Sequence, residues 1–153
     1  MDEAQAEALK QQRKAVLQDL AAEDEKIVMA ALHQVSHVGD ASMITPMVDL
    51  LLNPFRSDNV KKTVRKTLNQ LKDTTTIDPL LDAINQDRTA PIRHELVAAF
   101  WESGLQVDNR IPDFVNSALS SDYLTCMECL TVIENMEGPF DEQDVMTAIQ
   151  KIQ

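Results

Sequence analysis

Three segments of this chain are near-copies set at a fixed spacing, and that periodicity restricts the fold more than any other feature. Ile44-Thr45-Pro46-Met47-Val48-Asp49-Leu50-Leu51 returns as Ile77-Asp78-Pro79-Leu80-Leu81-Asp82-Ala83-Ile84 and, more loosely, as Ile111-Pro112-Asp113-Phe114-Val115-Asn116-Ser117-Ala118. A weaker echo follows at Val145, Ala148, Ile149 and Ile152. The leading apolar residues 44, 77, 111 and 145 stand 33, 34 and 34 positions apart, a period that belongs to stacked arrays rather than to one convoluted core. Within each copy the spacing i, i+3, i+4, i+7 lays one apolar stripe along a short helix. Proline near its start is tolerated because the N–H it lacks would be unpaired in the first turn anyway. Three glycines and 4 % aromatic residues argue against a sheet protein, while 44 % hydrophobic residues suffice for a core.

The rest of the chain falls into the same period. Residues 3 to 21 are rich in Ala, Glu, Gln and Lys, with only Leu9, Val16, Leu17 and Leu20 as a narrow apolar stripe. Such a helix suits the end of a stack, with Lys10, Gln11, Lys14 and Gln18 toward water. A longer helix is expected from Asp24 to about Val38, closed by Gly39-Asp40 in the manner of a left-handed terminator. Further helices are expected over about 58–71, 90–103 and 123–136, each preceding one of the short repeated helices. Their apolar positions superpose as Val28, Leu32, Val35; Val64, Leu68, Leu71; Leu96, Phe100, Ser103; and Cys129, Ile133, Met136. Breaks at Asn53-Pro54, Thr74 to Thr76, Asp108-Asn109 and Gly138-Pro139 mark the turns. The expected organisation is one domain, 1–153, with a capping helix in 1–22 and helical hairpins in 23–54, 55–87, 88–120 and 121–153.

Ile92-Arg93-His94-Glu95-Leu96-Val97-Ala98-Ala99-Phe100 as a first helix, followed by a second of the Ile77 to Ile84 kind, resembles the HEAT repeats. The likeness is to the short bacterial form, and it covers about residues 24 to 152. Ser103, where an apolar residue is expected, and the missing proline in the fourth unit depart from the pattern. The resemblance implies an all-α, right-handed α-solenoid of about four hairpins that acts as a non-catalytic protein-binding scaffold or adaptor. It also implies that the second helices line the concave side, where Asp49, Asp82, Asn116 and Gln150 form a polar, mildly acidic ladder. HEAT-like enzymes and accessory proteins are the alternative: di-iron hydroxylases, alkylpurine DNA glycosylases and phycobilin lyases. The hydroxylases resemble this chain in one His-Glu pair, His94-Glu95, but the corresponding positions are Lys26-Ile27, Lys62-Thr63 and Met127-Glu128, which leaves iron under-coordinated. The glycosylases grip DNA through a basic concave surface, whereas the ladder here is acidic. Nothing in the chain marks a chromophore site.

No catalytic, cofactor-binding or metal-ligating set emerges from the residues themselves. The chain lacks phosphate loops and nucleophile elbows. Cys126 and Cys129 have C-x-x-C spacing but no second pair beside them, and Cys129 takes a core position, so both read as structural thiols. His33 and His37, at i and i+4, read as solvated. A formal charge of −11 and a pI near 4.6 repel nucleic acid and anionic membranes, so neither is expected as a partner. No leader and no stretch approaching the ~20 apolar residues of a membrane span occurs, and two cysteines are too few for a disulfide framework. The expectation is a cytoplasmic protein.

Against that acidity, residues 56 to 72 hold Arg56, Lys61, Lys62, Arg65, Lys66 and Lys72 with one acid, Asp58. Six cations against one anion give this segment +5 and leave −16 on the rest of the chain. Lys61 with Arg65, and Lys62 with Lys66, repeat at i, i+4 and so repel along one face. Two readings fit: acids of neighbouring helices neutralise them, or an acidic segment of a protein partner does. Trp101 occupies a position that is polar in the other units, either as a binding anchor beside the basic helix or as a cover over the join between repeats. The candidate partner-binding residues are therefore Lys61, Lys62, Arg65, Lys66 and Trp101, with Asp49 and Asp82 on the ladder. At the far end Val145, Met146, Ile149 and Ile152 present an apolar stripe with no polar cap after it. That stripe implies either a continuing array or a homodimer through the C-terminal helix.

Overall fold

A computed structural model describes residues 2–153; Met1, the first residue of the expected capping segment, lies outside the described residues. Among the described residues the chain is all-α, with nine α-helices, short 3-10 turns and no strand. It packs as two compact units, one ending at Thr76 and the other starting at Ile77, a boundary that falls inside the expected segment 55–87.

The first unit holds α1 (Glu3–Leu20), α2 (Glu25–Val38), α3 (Ile44–Leu52) and α4 (Asp58–Gln70). Asp2 opens α1 with a capping box: its carboxylate accepts the Gln5 N–H at 2.7 Å, and the Gln5 side chain accepts the Asp2 N–H at 3.1 Å. Val16 and Leu20 are the buried face of α1, which packs on α2. Arg13 ties the two together, donating to the Val38 carbonyl at 2.7 Å and pairing with Asp40 at 3.5 Å. Val28, Leu32 and Val35 of α2 and Val64, Leu68 and Leu71 of the α4 segment are all buried, as their i, i+4, i+7 spacing predicts. The α4 helix lies on both α2 and α3, and its start is held by Ser57, which accepts the Val60 N–H.

Gly39 ends α2, but not as a left-handed terminator: φ is −66° and ψ 151°, an extended conformation open to any residue. Glycine is needed there for space, since a Cβ would lie 2.4 Å from the Val35 carbonyl oxygen. The left-handed terminator is Gly104, with φ 76°, at the end of α6.

The second unit holds α5 (Ile77–Ile84), α6 (Arg93–Ser103), α7 (Ile111–Ser120), α8 (Tyr123–Glu134) and α9 (Glu142–Ile152). The helix expected from about Ala90 begins instead as a 3-10 turn over Asp87–Ile92 and becomes α-helical at Arg93. Pro91 cannot donate to an α-ladder, and the buried Thr89 hydroxyl bonds the carbonyls of Ala83 and Gln86 at 2.6 and 2.8 Å, which holds the chain in the tighter turn. Arg93 then donates to the carbonyls of Ile84 and Gln86, closing the end of α5. In the core Phe100 and Phe114 meet edge to face, ring centres 5.1 Å apart. Ser103 is buried and its hydroxyl bonds the Phe100 carbonyl, so the polar departure from the repeat pattern is satisfied.

Helices α3, α5 and α7 begin at Ile44, Ile77 and Ile111, the first residue of each repeated segment, and a 3-10 turn precedes each. The fourth does not follow: α9 starts at Glu142, capped by Asp141, so Val145 lies inside its first turn. In α8 the buried face is Thr125, Cys129 and Val132, whereas Ile133 and Met136 are half-buried. Within the second unit α6 packs on α8, α7 on α9, and α7 on α8.

Candidate functional site

The basic helix α4 faces α2 across a groove of about 400 Å³. Met29 and Leu32 of α2 supply apolar surface, while His33 and His37 on one side and Lys66 and Gln70 on the other supply polar groups. The two histidines, one turn apart on α2, meet edge to face at 5.2 Å. Both are exposed, as the sequence implies, yet they also line this groove.

The apolar spacing of α4 determines how its cations are arranged. Burying Val60, Val64, Thr67 and Leu68 turns Lys62, Arg65 and Lys66 outward, while Lys61 is half-buried on the flank. Lys61, Lys62 and Lys66 form no ion pair with any described residue. Arg65 and Asp49, by contrast, are engaged inside the protein. Arg56 is structural: it donates to the carbonyls of Ala22 and Glu23 just past α1. Glu25 accepts the Ser57 N–H at 2.9 Å, and that bond, with the Ser57 hydroxyl adding to it, holds the Glu25 carboxyl below the usual carboxylate range. The start of α4 is thus bonded to the start of α2, which sets one end of the groove.

The other predicted residues are placed as follows. Asp49 on α3 and Asp82 on α5 are exposed, as are Asn116 and Gln150 of the same ladder. Trp101 on α6, in the second unit, is 38 % exposed, and its indole N–H donates to Glu128 of α8 at 2.7 Å. The indole therefore bridges α6 and α8 and leaves its remaining ring surface to solvent. It also lines a cleft of about 180 Å³ with Leu105, Val107 and Met136. Cys129 is buried, and burial, with smaller contributions from Cys126 and Glu128, pushes its thiol up to about 12. Among the described residues no three His, Cys, Asp or Glu side chains converge on a point that could hold a metal. No helix among them is long and apolar enough to cross a membrane.

Sequence reasoning found Lys66 but not its companions across the groove, His33 and His37. The available signal was the pair of i, i+4 histidines on α2, matched by the i, i+4 lysines on the first helix of the next unit. The chain has no significant match among family models, curated proteins or solved structures.

Proposed function

We propose that this chain is a non-catalytic, cytoplasmic HEAT-like repeat scaffold that binds an acidic, amphipathic segment of a protein partner in the groove between α2 and α4. The observation that carries this reading is the groove itself: apolar surface from Met29 and Leu32, lined also by Lys66, with the exposed Lys62 one turn earlier on the same helix, and neither lysine has an ion pair among the described residues. An isolated like-charge pair at i, i+4 costs a helix a few tenths of a kcal/mol, and an anionic partner offsets that cost on binding. Apolar side chains of the partner would sit on Met29 and Leu32 while its carboxylates meet the lysines, the helix-in-groove mode of recognition. The HEAT-like architecture is supported by the coincidence of the helix starts at 44, 77 and 111. It is supported further by packing in which first helices lie on first helices (α2 on α4, α6 on α8) and second helices on second helices (α7 on α9).

The test is fluorescence anisotropy with a labelled, glutamate-rich helical peptide carrying leucine at i and i+4. Wild-type protein is expected to bind it, more weakly as salt rises. The Lys62→Glu, Lys66→Glu double variant is expected to weaken binding by at least about tenfold, chiefly through a slower association rate. Its melting temperature should hold, because neither lysine has an ion pair among the described residues to lose. Unchanged binding by the variant, a drop in its melting temperature, or tight salt-resistant binding of duplex DNA by the wild type would each refute the proposal.

A further inference from the structure

Two of the three histidines of the chain stand one turn apart on α2. Their i, i+4 spacing puts His33 and His37 on one face of the helix, and the inward turn of Leu32 and Val35 leaves both imidazoles exposed on the wall of the α2–α4 groove. Among the described residues no ring nitrogen of either histidine is hydrogen-bonded; the rings touch each other instead, with centres 5.2 Å apart and planes at 78°. A Zn–N bond of about 2.0–2.1 Å puts a metal about 3.2 Å from the centre of its imidazole ligand, and a tetrahedral angle at the ion then separates two such centres by about 5.2 Å. The pair already stands at that spacing. Because both side chains are exposed, rotation about their own bonds, without a backbone shift, aims one nitrogen of each at a shared ion.

We propose that His33 and His37 chelate a divalent transition-metal ion of the imidazole-preferring class, such as Zn²⁺, in the groove between α2 and α4. Imidazole suits zinc, nickel and copper rather than magnesium or calcium, which take oxygen ligands. The same i, i+4 spacing on a helix holds the zinc of H-E-x-x-H metalloproteases, whose glutamate is the general base. Gln34 stands at that place here. An amide takes no proton, so the pair holds an ion without the hydrolytic step. The protein supplies two ligands, since no third His, Cys, Asp or Glu joins them among the described residues, and the Ser36 hydroxyl beside them is spent on the His33 carbonyl at 2.6 Å. Water fills the remaining positions. Lys66 lines the groove from the α4 side and opposes a second cation, so the ion is held reversibly and more weakly than in a four-ligand structural site.

Nuclear magnetic resonance of the imidazole rings during titration with zinc chloride at pH 7.5 tests the site, because it reads each histidine separately and is blind to zinc held elsewhere by a thiol. The His33 and His37 signals are expected to shift together with one midpoint, saturating at one ion per chain, while His94 on α6, in the second unit, stays unmoved. Two ligands on one helix act at high effective concentration. His37→Gln should therefore weaken the response of His33 by at least about tenfold, and His33→Gln that of His37. Both positions are exposed, so each variant should keep the wild-type circular dichroism spectrum. A His33 midpoint unchanged in folded His37→Gln, equal shifts of all three histidines, or no saturable response below about 1 mM zinc would each overturn the site.

Discussion

Replacing Leu68 by alanine tests which face of α4 is buried, and with it the outward placement of Lys62 and of the groove-lining Lys66. Leu68 is 2 % exposed in a helix that packs on both α2 and α3. The substitution removes three carbons; at about 0.8 kcal/mol per buried methylene the transfer loss is roughly 2.4 kcal/mol. Incomplete collapse around the vacated space adds to this, so a total of about 3 to 5 kcal/mol is expected. Lys62→Ala, six residues earlier on the exposed side, removes no internal ion pair and should change stability by less than about 0.5 kcal/mol. Urea denaturation followed by far-ultraviolet circular dichroism gives both values, provided the slope of free energy against urea is unchanged. Fluorescence of the single tryptophan, Trp101, separately reports the second unit. A Leu68→Ala loss under about 1 kcal/mol, or a similar loss from Lys62→Ala, would mean that the face assignment, and so the groove, is wrong.

Two further outcomes follow from the local chemistry. Because Cys129 is buried and its thiol is pushed up to about 12, a thiol reagent at pH 8 should modify the half-buried Cys126 and reach Cys129 only on unfolding; mass spectrometry of briefly labelled folded protein checks this, and equal labelling refutes it. Glu25, Asp73 and Asp122 are held below the usual carboxylate range chiefly by the backbone N–H groups of Ser57, Thr75 and Thr125. Their stabilising contribution is therefore complete above the unfolded carboxylate range and is lost as pH falls through their lowered values. The melting temperature should decline from about pH 4.5 downward, and Glu25→Gln should blunt part of that decline; a variant with the wild-type acid profile would count against the Ser57 bond.

The helices were legible where one residue type could satisfy only one requirement. The starts at Ile44, Ile77 and Ile111 could be read because an apolar stripe and a nearby proline coincide there, whereas Val145 misled because Asp141, four residues earlier, caps α9 first. Gly39 misled differently: glycine serves both a left-handed terminator and a close approach, and only the position of the Val35 carbonyl decides between them. In α8, Met127, Cys129, Leu130, Val132 and Ile133 put apolar groups on every side, so periodicity could not pick Val132 over Ile133. The candidate site was half legible for a related reason. A single helix shows its own outward cations, but His33 and His37 join Lys66 only through the packing of α4 on α2, which no single-helix pattern contains.

The placement of charge on α4 bears on function more directly than its total. Neutralisation by neighbouring acids would leave ion pairs beside Lys61, Lys62 and Lys66, and among the described residues these lysines have none. Acids are abundant, since 25 of them stand in the chain, and the protein does pair cations elsewhere: Arg110 is bonded to both Asp78 and Asp113, and those bonds raise its already high pKa. The lysines of α4 are therefore unmatched by position, not by scarcity of acids. The repelling pair Lys62 and Lys66 at i, i+4 carries a local cost with no offsetting ion pair among the described residues. Sites where local sequence preference is overridden without a structural return are where a binding requirement is expected, and here that site borders apolar groove surface.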